Sequence, residues 1–369
     1  MKQIPLVDLR RQYDRIKLEI SVAMENVLTN SDFILGKDVD LFESEFADFV
    51  GVKHAVGVAS GTDALVLALK ACGIGPSDEI LVPANTFIAT AYAVSACGAL
   101  PVLVDVRETD YNLDPDKLMG ACTERTRAIL PVHLYGCTAD MNAIREFADK
   151  FGLLVIEDAC QAHGARYGQE LAGGMTKAGA FSFYPGKNLG AYGDGGGVTT
   201  NDDNIAKSVR MMRNYGQSKK YHHDIIGLNS RLDSLQAAVL RIKLKYLEEW
   251  NANRCQLARM YSEALEGLPI TLPCVPASQF NHVYHLFVIR TERRNDLLSF
   301  LNTKGIGAGV HYPVPVHRHH AYESLGYKIG DFPVSERLSE EVLSLPIFPE
   351  MTHDELFHVV EMVKQFFGN

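Results

Sequence analysis

Several features that mark large classes of protein are missing from this sequence. No stretch reaches the roughly 18 uncharged apolar residues of a membrane helix, and the first residues, MKQIPLVDLRRQY, lack the apolar segment of a signal peptide. The 7 cysteines are scattered with no C-x-x-C pair, which argues against a disulfide framework and against a zinc site. We therefore expect a cytoplasmic protein without a membrane span or a bound metal.

An excess of positive charge is also missing. The chain has 36 basic and 45 acidic residues, a formal net charge of −9, and no segment that resembles a basic recognition helix. Nucleic acid is therefore not an expected partner, and an anionic ligand would have to be held by local groups. The 369 residues, 47% of them apolar, are enough for two domains with substantial cores.

Short apolar runs alternate with helical patterns through the first half of the chain. The runs are rich in Val, Ile and Leu, and they comprise HAVGV, EILVP, PVLVDV, AILPVHL and LLVIED, which begin at residues 54, 79, 101, 128 and 153. Because most of the runs are continuous rather than alternating, they are typical of strands buried on both faces of a mainly parallel sheet. The order of strands and helices predicts an α/β fold with ligand sites at the carboxyl ends of the strands.

A change of character in the second half of the chain predicts a second domain. A long helix is predicted from Asp233 to about Glu266, and the segments HVYHLFVIR and GAGVHY follow it among further helical patterns. We place the boundary near residue 248. This gives a large domain of residues 1–248 with the mainly parallel mixed sheet and a smaller α/β domain of residues 249–369.

The stretch from Ala180 to Gly197, AFSFYPGKNLGAYGDGGG, has the strongest functional signal. Its first residues alternate like a strand, the chain breaks at Pro185-Gly186, and Lys187 follows on an irregular turn ahead of a glycine cluster. Glycines, which have no Cβ, let a backbone pass close to a bulky group. A partly desolvated lysine, held there near cationic or polar groups, is suited to Schiff-base chemistry with a carbonyl. The alternative interpretation is an ordinary solvated loop lysine.

Three further strand ends carry polar or aromatic residues. Ser60, Gly61 and Thr62 end one strand and open a helix, so they either bind a phosphate or simply cap the helix. Asp158 ends the strand LLVIED, where a buried carboxylate needs a cation or several donors, or else caps the next helix. Phe87 follows the strand EILVP and is either a core residue or an aromatic plate over a flat cofactor.

Together these residues are the parts that pyridoxal phosphate requires. They supply a phosphate cradle, an aromatic plate, an acid that can pair with a protonated ring nitrogen, and a lysine for the aldehyde. A buried carboxylate keeps the ring nitrogen protonated by ion pairing, and the lysine can then move protons between carbon atoms. The sequence therefore predicts a pyridoxal phosphate enzyme.

Four segments give the chain a resemblance to a known family. SGTDAL, EDACQAHGA, SFYPGKNLGAYGDGG and GLNSRLDSLQAA resemble motifs of the DegT/DnrJ/EryC1/StrS family of sugar aminotransferases, and the likeness extends from IPLVDL to HYPVPVH. This resemblance implies an aminotransferase of fold type I with pyridoxal 5'-phosphate as its cofactor. Some relatives are dehydratases that have histidine in place of the lysine, so the presence of Lys187 favours transamination.

The resemblance also implies a role for each matching residue. Lys187 would hold the cofactor covalently, and Asp158 would pair with its pyridinium nitrogen. Gln161 would contact the ring hydroxyl, and Phe87 would stack on the ring. The phosphate would be bound by Gly61, Thr62, Ser182 and, across a homodimer with shared active sites, Asn229. The nucleotide-sugar site would be lined by His311, Tyr312, Tyr184, Tyr221, Arg231 and His317.

The reaction implied by the resemblance moves an amino group from L-glutamate, which leaves as 2-oxoglutarate, to a nucleotide-linked keto-sugar. The SFYPGKNLG and GDGGG segments look more like those of relatives that act at C3, which favours a dTDP-linked 3-keto-6-deoxyhexose. A UDP-linked keto-sugar aminated at C3 or C4, and a keto-cyclitol, are the alternatives. A regulatory or DNA-binding role, which the names of some relatives suggest, is disfavoured by the acidic charge.

Two groups of basic residues need an interpretation of their own. The VHRHH segment at 316–320 could bind a metal, but no second cluster offers matching ligands, so we interpret it as a loop near the substrate entrance. Arg213, Lys219, Lys220 and Arg231 are candidate partners for the substrate diphosphate. For Lys219 and Lys220 a solvated surface position is the better interpretation.

Overall fold

A seven-stranded sheet forms the centre of the computed structural model, which describes residues 3–274 and 280–368. The strands of the described chain are β1 (His54–Val58), β2 (Glu79–Pro83), β3 (Leu100–Val104), β4 (Thr126–Ile129), β5 (Leu154–Asp158), β6 (Arg166–Tyr167), β7 (Glu170–Leu171), β8 (Ala178–Ser182), β9 (Gly196–Thr200), β10 (Gln217–Lys219), β11 (His222–His223), β12 (Phe280–Asn281), β13 (Phe287–Arg290) and β14 (Val342–Leu345). The five predicted apolar runs coincide with the first five strands. β4 ends early, two residues before Pro131, because proline has no backbone N–H for the ladder.

The sheet is mixed and mainly parallel, which confirms the predicted fold class. Its order is β1-β9-β8-β5-β4-β2-β3, and pairing is parallel from β8 through β5, β4 and β2 to β3. β9 is antiparallel to both β8 and β1, so β1 runs in the same direction as the parallel strands. The carboxyl ends of β1, β2, β5 and β8 therefore meet at one edge of the sheet, where ligands bind in folds of this type.

Two buried clusters cover the two faces of the sheet. The helices of the described chain are α1 (Leu9–Asn30), α2 (Lys37–Val50), α3 (Gly61–Ala71), α4 (Ala89–Ala96), α5 (Leu118–Ala121), α6 (Met141–Phe151), α7 (Asp203–Met212), α8 (Ser234–Leu244), α9 (Leu247–Leu265), α10 (Arg294–Thr303), α11 (Pro333–Glu341) and α12 (His353–Phe367). α2, α6 and α8 pack on one face, and α3, α4 and α7 pack on the other. Adjacent strand residues such as Val155 and Ile156 belong to opposite clusters, so the sheet is buried on both sides.

The predicted single helix from Asp233 to Glu266 is wrong, because the chain turns between α8 and α9. The N–H of Tyr246 bonds the carbonyl of Lys243 at 3.0 Å, and the Tyr246 ring stacks on that of Trp250 with centroids 5.7 Å apart. The break contains neither proline nor glycine, so it has no local sequence signal. Tertiary packing of the buried Trp250 accounts for it instead.

A third buried cluster lies in the second half of the chain. α9, α10 and α12 pack around the antiparallel pair β13–β14. The segment GAGVHY forms one isolated bridge, from Gly309 to Ser344 at the edge of that pair. Ile4 from the start of the chain joins the same cluster. The domain boundary near residue 248 stays a prediction.

Candidate active site

Three strand ends approach one another around a backbone cradle. β1 leads through Ser60 into α3, and a Cβ added to Gly61 would lie 2.5 Å from the Cβ of Ser182 at the end of β8. A Cβ on Gly196 would collide with the carbonyl oxygen of Ser60. Glycine is therefore required at both positions by the close approach of protein backbone.

Ser60 does cap α3, as the simpler interpretation held. Its Oγ accepts a hydrogen bond from the N–H of Asp63 at 3.1 Å. The cap leaves the N–H groups of Gly61 and Thr62 in the first turn, where a helix supplies no internal acceptor. These donors lie at the positive end of the helix dipole, so capping and phosphate binding are compatible there.

Asp158 is buried at the tip of β5 and is held by two donors. The Oγ1 of Thr90 donates to Oδ2 at 2.8 Å, and the N–H of Cys160 donates to Oδ1 at 3.2 Å. Thr90 in turn contacts the hydroxyl of Thr86 at 3.0 Å. Asp158 does not cap a helix, because turns follow it and the next helix, α7, begins much later. The carboxylate is thus fixed in orientation where a buried charge needs a partner.

Lys187 lies on the predicted irregular turn after β8. Its N–H bonds the carbonyl of Tyr184 at 2.9 Å, and the residue is half-buried. Desolvation lowers the pKa of the Lys187 amine, and the nearby acidic groups of Cys160 and Asp158 oppose that shift. The structure therefore brings the predicted lysine and the predicted acid into one electrostatic environment.

Gln161 and Tyr312 join these residues. The Oε1 of Gln161 accepts from the N–H of Tyr135 at 2.7 Å, and its Nε2 donates to the hydroxyl of Tyr312 at 3.2 Å. Burial raises the pKa of that hydroxyl well above its usual range. The ring of Phe87, half-exposed, is tilted against Tyr312 with centroids 5.5 Å apart. Phe87 is thus not a core residue, and one face of the site is aromatic.

Three histidines lie within electrostatic reach of Lys187, and each has a pKa below the usual value of histidine. His311 bonds the hydroxyl of Ser344 at 2.8 Å, and burial together with the charge of Lys187 lowers its pKa to about 4. The same causes lower the pKa of His163 to about 3 and that of His285 well below its usual value. The sequence prediction called for cationic or polar neighbours. The structure supplies neutral imidazoles, and burial is the main cause of the shift at Lys187.

Three of the predicted site residues are exposed instead, and a fourth, Arg231, is half-buried. Tyr184 is 60% exposed and Tyr221 is 80% exposed, and Asn229 is also exposed. Arg231 donates to the Oδ1 of Asn214 at 3.1 Å. Tyr221 lies in the turn of the β10–β11 hairpin.

Two basic residues have partners within their own chain. His317 is buried against Phe332 and contacts the Oε1 of Glu336 at 3.0 Å, away from the cluster around Lys187. Its role in the sugar site stays a prediction. Arg213 forms an ion pair with Glu43 and is only 6% exposed. The expectation that Arg213 binds a diphosphate is therefore wrong, because its guanidinium is already paired inside the protein.

Sequence reasoning missed Thr90, Tyr135 and His285. Thr90 and Tyr135 act through a hydrogen bond to Asp158 or Gln161, and His285 lies near Lys187 from a distant segment. None of them belongs to a motif with its own spacing, so only the fold brings them to the site. In residues 3–274 and 280–368, no group of three or more His, Cys, Asp and Glu side chains could hold a metal ion.

Comparison with known proteins places the chain in a family. Residues 14–364 match the model of the DegT/DnrJ/EryC1/StrS aminotransferase family. The chain belongs to this family. It is 49% identical over 365 residues to dTDP-3-amino-3,4,6-trideoxy-alpha-D-glucose transaminase from Streptomyces venezuelae, covering 99% of this chain and 96% of the relative.

Solved structures agree with that placement. An X-ray structure of DesV from Streptomyces venezuelae in complex with a ketimine intermediate superposes with a TM-score of 0.98 at 48% identity, covering 100% of both chains. NtdA from Bacillus subtilis with bound cofactor PMP superposes with a TM-score of 0.87 at 33% identity, covering 98% of this chain and 86% of the other. The predicted fold, the predicted aminotransferase activity and the predicted cofactor are thereby confirmed.

The residues at the sheet edge fit pyridoxal phosphate. Gly61 packs against Ser182 at the start of α3, where the first N–H groups of a helix have no internal acceptor and can bind a small anion. Asp158 is a buried acid and Lys187 an amine of lowered pKa in the same environment. Across the described residues, each helix is too short or too polar to span a bilayer.

Proposed function

We propose that this chain transfers the amino group of L-glutamate to C3 of a nucleotide-linked keto-sugar, a dTDP-linked 3-keto-6-deoxyhexose. The observation that carries the proposal is the full-length similarity to a dTDP-3-amino-sugar transaminase, combined with Lys187 and Asp158 in one buried environment. L-Glutamate leaves as 2-oxoglutarate before the keto-sugar accepts the amino group.

In this proposal the buried residues hold the cofactor. Lys187 binds the aldehyde, Asp158 faces the ring nitrogen, Gln161 faces the ring hydroxyl, and Phe87 covers the ring. The phosphate is bound by Gly61, Thr62 and Ser182, together with Asn229 from a second copy of the chain. When bound, pyridoxal phosphate accepts the amino group and takes up the electrons released when a proton leaves the substrate carbon.

Each buried residue has a task that follows from its surroundings. Because desolvation lowers the pKa of Lys187, a larger fraction of its amine is neutral and able to attack or to accept a proton. The two donors on Asp158 fix the carboxylate, so its charge stabilises a cation at one defined position. The neutral histidines add no positive charge that would compete with that cation.

The sugar-binding residues in this proposal come from both regions of the site. His311 and Tyr312 are half-buried within electrostatic reach of Lys187 and Asp158, whereas Tyr184 and Tyr221 are exposed and Arg231 is half-buried. His317 is assigned to the same site from the resemblance alone. Since Arg213 is paired with Glu43, Arg231 is the better candidate for the diphosphate.

A homodimer with shared active sites is part of the proposal. Near Asn229 in sequence, Ile226 is 97% exposed and Tyr221 is 80% exposed. Large apolar side chains exposed close together often mark a surface that another protein covers. A second copy covering this surface would bury those side chains and bring Asn229 to the neighbouring phosphate site. We also propose the two domains divided near residue 248 and a reducing cytoplasmic location, which the 7 free cysteines favour.

The substrate is tested by incubating the purified protein with L-glutamate and a panel of dTDP-, UDP- and GDP-linked 3-keto and 4-keto sugars. Mass spectrometry of the products identifies the sugar that gains an amino group, and a Lys187→Ala preparation serves as the blank. We expect amination of the dTDP-linked 3-keto-6-deoxyhexose. Reaction of 4-keto sugars alone would contradict the assignment to C3, and reaction of no sugar would contradict the function.

A further inference from the structure

The turn that carries Lys187 is held by the two helices behind it. We call residues 183–192 the lysine turn and α8 with α9 the helix pair. Three side chains of the helix pair form hydrogen bonds with this turn. Gln236 accepts from the N–H of Tyr192 at 2.8 Å, and Lys243 donates to the carbonyl of Gly190 at 2.7 Å. Asn251 accepts from the Nδ2 of Asn188 at 2.8 Å. Gln236 and Lys243 lie seven residues apart on the same face of α8.

Asn251 differs from the other two because it bonds a second segment as well. Its Oδ1 accepts from Asn188, and its Nδ2 donates to the carbonyl of His163 at 2.8 Å. His163 lies five residues after Asp158, in the loop that follows β5. One carboxamide therefore connects the lysine turn to the segment that begins with the acid.

The surroundings leave this carboxamide a single orientation. Asn251 is 8% exposed and Asn188 is 3% exposed, so water does not replace the bonds between them. Gly164 has a φ of +88°, and a Cβ there would lie 2.7 Å from the Nδ2 of Asn251. The Nδ2 of Asn188 also donates to the carbonyl of Val283 at 3.0 Å, which fixes the other end of the bridge.

We propose that Asn251 is a positioning residue that fixes the placement of Lys187 relative to Asp158, an inference that rests on the proposed function. It touches neither the cofactor nor the substrate, and it acts through Asn188 on one side and the His163 carbonyl on the other. An aspartate at this position would keep an acceptor for Asn188 and would place a negative oxygen against the His163 carbonyl. The Asn251→Asp substitution therefore breaks the hydrogen bond to the His163 carbonyl and leaves the volume of the side chain nearly unchanged.

The consequence of breaking the bridge is a looser lysine turn. Lys187 is held half-buried, and desolvation is the main cause of its lowered pKa. A turn released from Asn251 would let the amine reach water, and its pKa would rise toward the usual 10.5. A displacement of about 1 Å at a reacting group can lower the rate by about 100-fold.

The test compares Asn251→Asp with a control that loses a buried hydrogen bond elsewhere. Thr199→Val is the control, because the Thr199 hydroxyl donates to the carbonyl of Gly173 at 2.6 Å, away from the lysine turn. The first measurement is the rate of modification of Lys187 by an amine-reactive reagent against pH, in the cofactor-free protein, read by mass spectrometry. The second is kcat and KM for L-glutamate in the holoenzyme.

We expect Asn251→Asp to raise the pKa of Lys187 by on the order of one unit and to lower kcat by about 10- to 100-fold, with KM within about threefold. Thr199→Val is expected to change neither. If Asn251→Asp lowers thermal stability but leaves the Lys187 titration as in the control, Asn251 is merely structural and the inference is overturned. Equal titration curves for all three proteins overturn it as well.

A second variant, which adds no charge, separates loosening of the turn from the effect of the negative charge that Asn251→Asp introduces, and it keeps the test decisive if Asn251→Asp does not fold. Asn188→Ala removes the other end of the same bond and leaves the bond from Asn251 to His163 in place. It is expected to raise the Lys187 pKa in the same direction, and an unchanged titration would overturn the inference. The titration does not depend on the sugar, so a failure of the proposed function is distinguishable from a failure of this inference.

Discussion

The predicted site residues fall into two regions that differ in how they are held. We call Lys187, Asp158, Gln161 and Tyr312 the buried region, because they are buried or half-buried and each forms a backbone or side-chain hydrogen bond within the chain. The exposed region contains Tyr184, Tyr221 and Asn229, together with the half-buried Arg231 that bonds Asn214. The difference indicates that one folded chain sets the geometry of the cofactor chemistry. In the proposed homodimer, substrate binding would also depend on a second copy of the chain.

The largest effect is expected from Lys187→Ala in the buried region. In the proposed function the variant lacks the amine that would bind the cofactor and move the proton, so we expect transamination to fall by at least about 1,000-fold. Lys70→Ala, at an exposed position near the end of α3, is the matched control and is expected to keep full activity. Initial rates with L-glutamate and the preferred sugar measure both. Substantial activity in Lys187→Ala would contradict the assignment of the cofactor chemistry to the buried region.

Asp158→Asn is expected to have the next largest effect. The amide has nearly the same volume but cannot stabilise a cation on the ring nitrogen, so we expect kcat to fall by about 100- to 1,000-fold. Thr90→Val, which removes only the donor to Oδ2, should lower kcat by about 10-fold. Single-turnover rates give the two values, and a Thr90→Val defect as large as that of Asp158→Asn would contradict the positioning role of Thr90.

Asn229→Ala tests the exposed region and should lower activity by about 10- to 100-fold, because one donor to the phosphate is lost. The sharper measurement mixes this variant with Lys187→Ala after dissociation and reassociation. In a shared site, half of the sites in each mixed dimer carry both intact residues, so about a quarter of the wild-type activity should return. No recovery on mixing would show that Asn229 acts within its own chain.

The smallest effect is expected from Lys243→Met, which removes the hydrogen bond from Lys243 to the lysine turn and is measured as a change in stability. Burial lowers the pKa of Lys243 to about 7 from its usual 10.5, with the charge of Glu350 opposing the shift. Between these values the unfolded chain binds the proton and the folded chain does not, so the buried amine costs most stability below pH 7, and the cost fades as pH rises. Methionine removes this cost.

The expected result for Lys243→Met is therefore a stability difference from wild type that depends on pH. Relative to wild type, the free energy of unfolding of the variant should rise by on the order of 1 to 2 kcal/mol between about pH 9 and about pH 6.5. Thermal unfolding of both proteins across this range measures it, and other titrating groups cancel in the difference. A difference independent of pH would mean that the folded and unfolded chains bind this proton equally well, so that burial does not lower the pKa of Lys243.

Much of the buried region could be predicted from the sequence, because its residues belong to local motifs at strand ends. The apolar runs fixed the positions of β2 and β5, and Asp158 and Phe87 follow directly from them. Thr90, Tyr135 and Asn251 could not be predicted, since each acts on a residue far away in sequence. Only the folded chain brings such pairs together.

The two errors have the same origin. The break between α8 and α9 has no proline or glycine, and Trp250 just after it is buried in a cluster with Ile16 and Ile20 of α1. From the sequence alone, Arg213 is a basic residue that could bind an anion. In the fold its guanidinium pairs with Glu43, which lies 170 positions away in sequence. In both places a long-range contact decided the outcome, and no local pattern reports it.

The central claim is that Lys187 is the amine that holds the cofactor. Borohydride reduction of the purified holoenzyme, followed by peptide mapping, tests it most directly, because reduction makes a covalent link between lysine and cofactor permanent. We predict the pyridoxyl group on the peptide that contains Lys187 and on no other. Attachment to a different lysine, or a protein that retains no pyridoxyl group after reduction, would contradict the account.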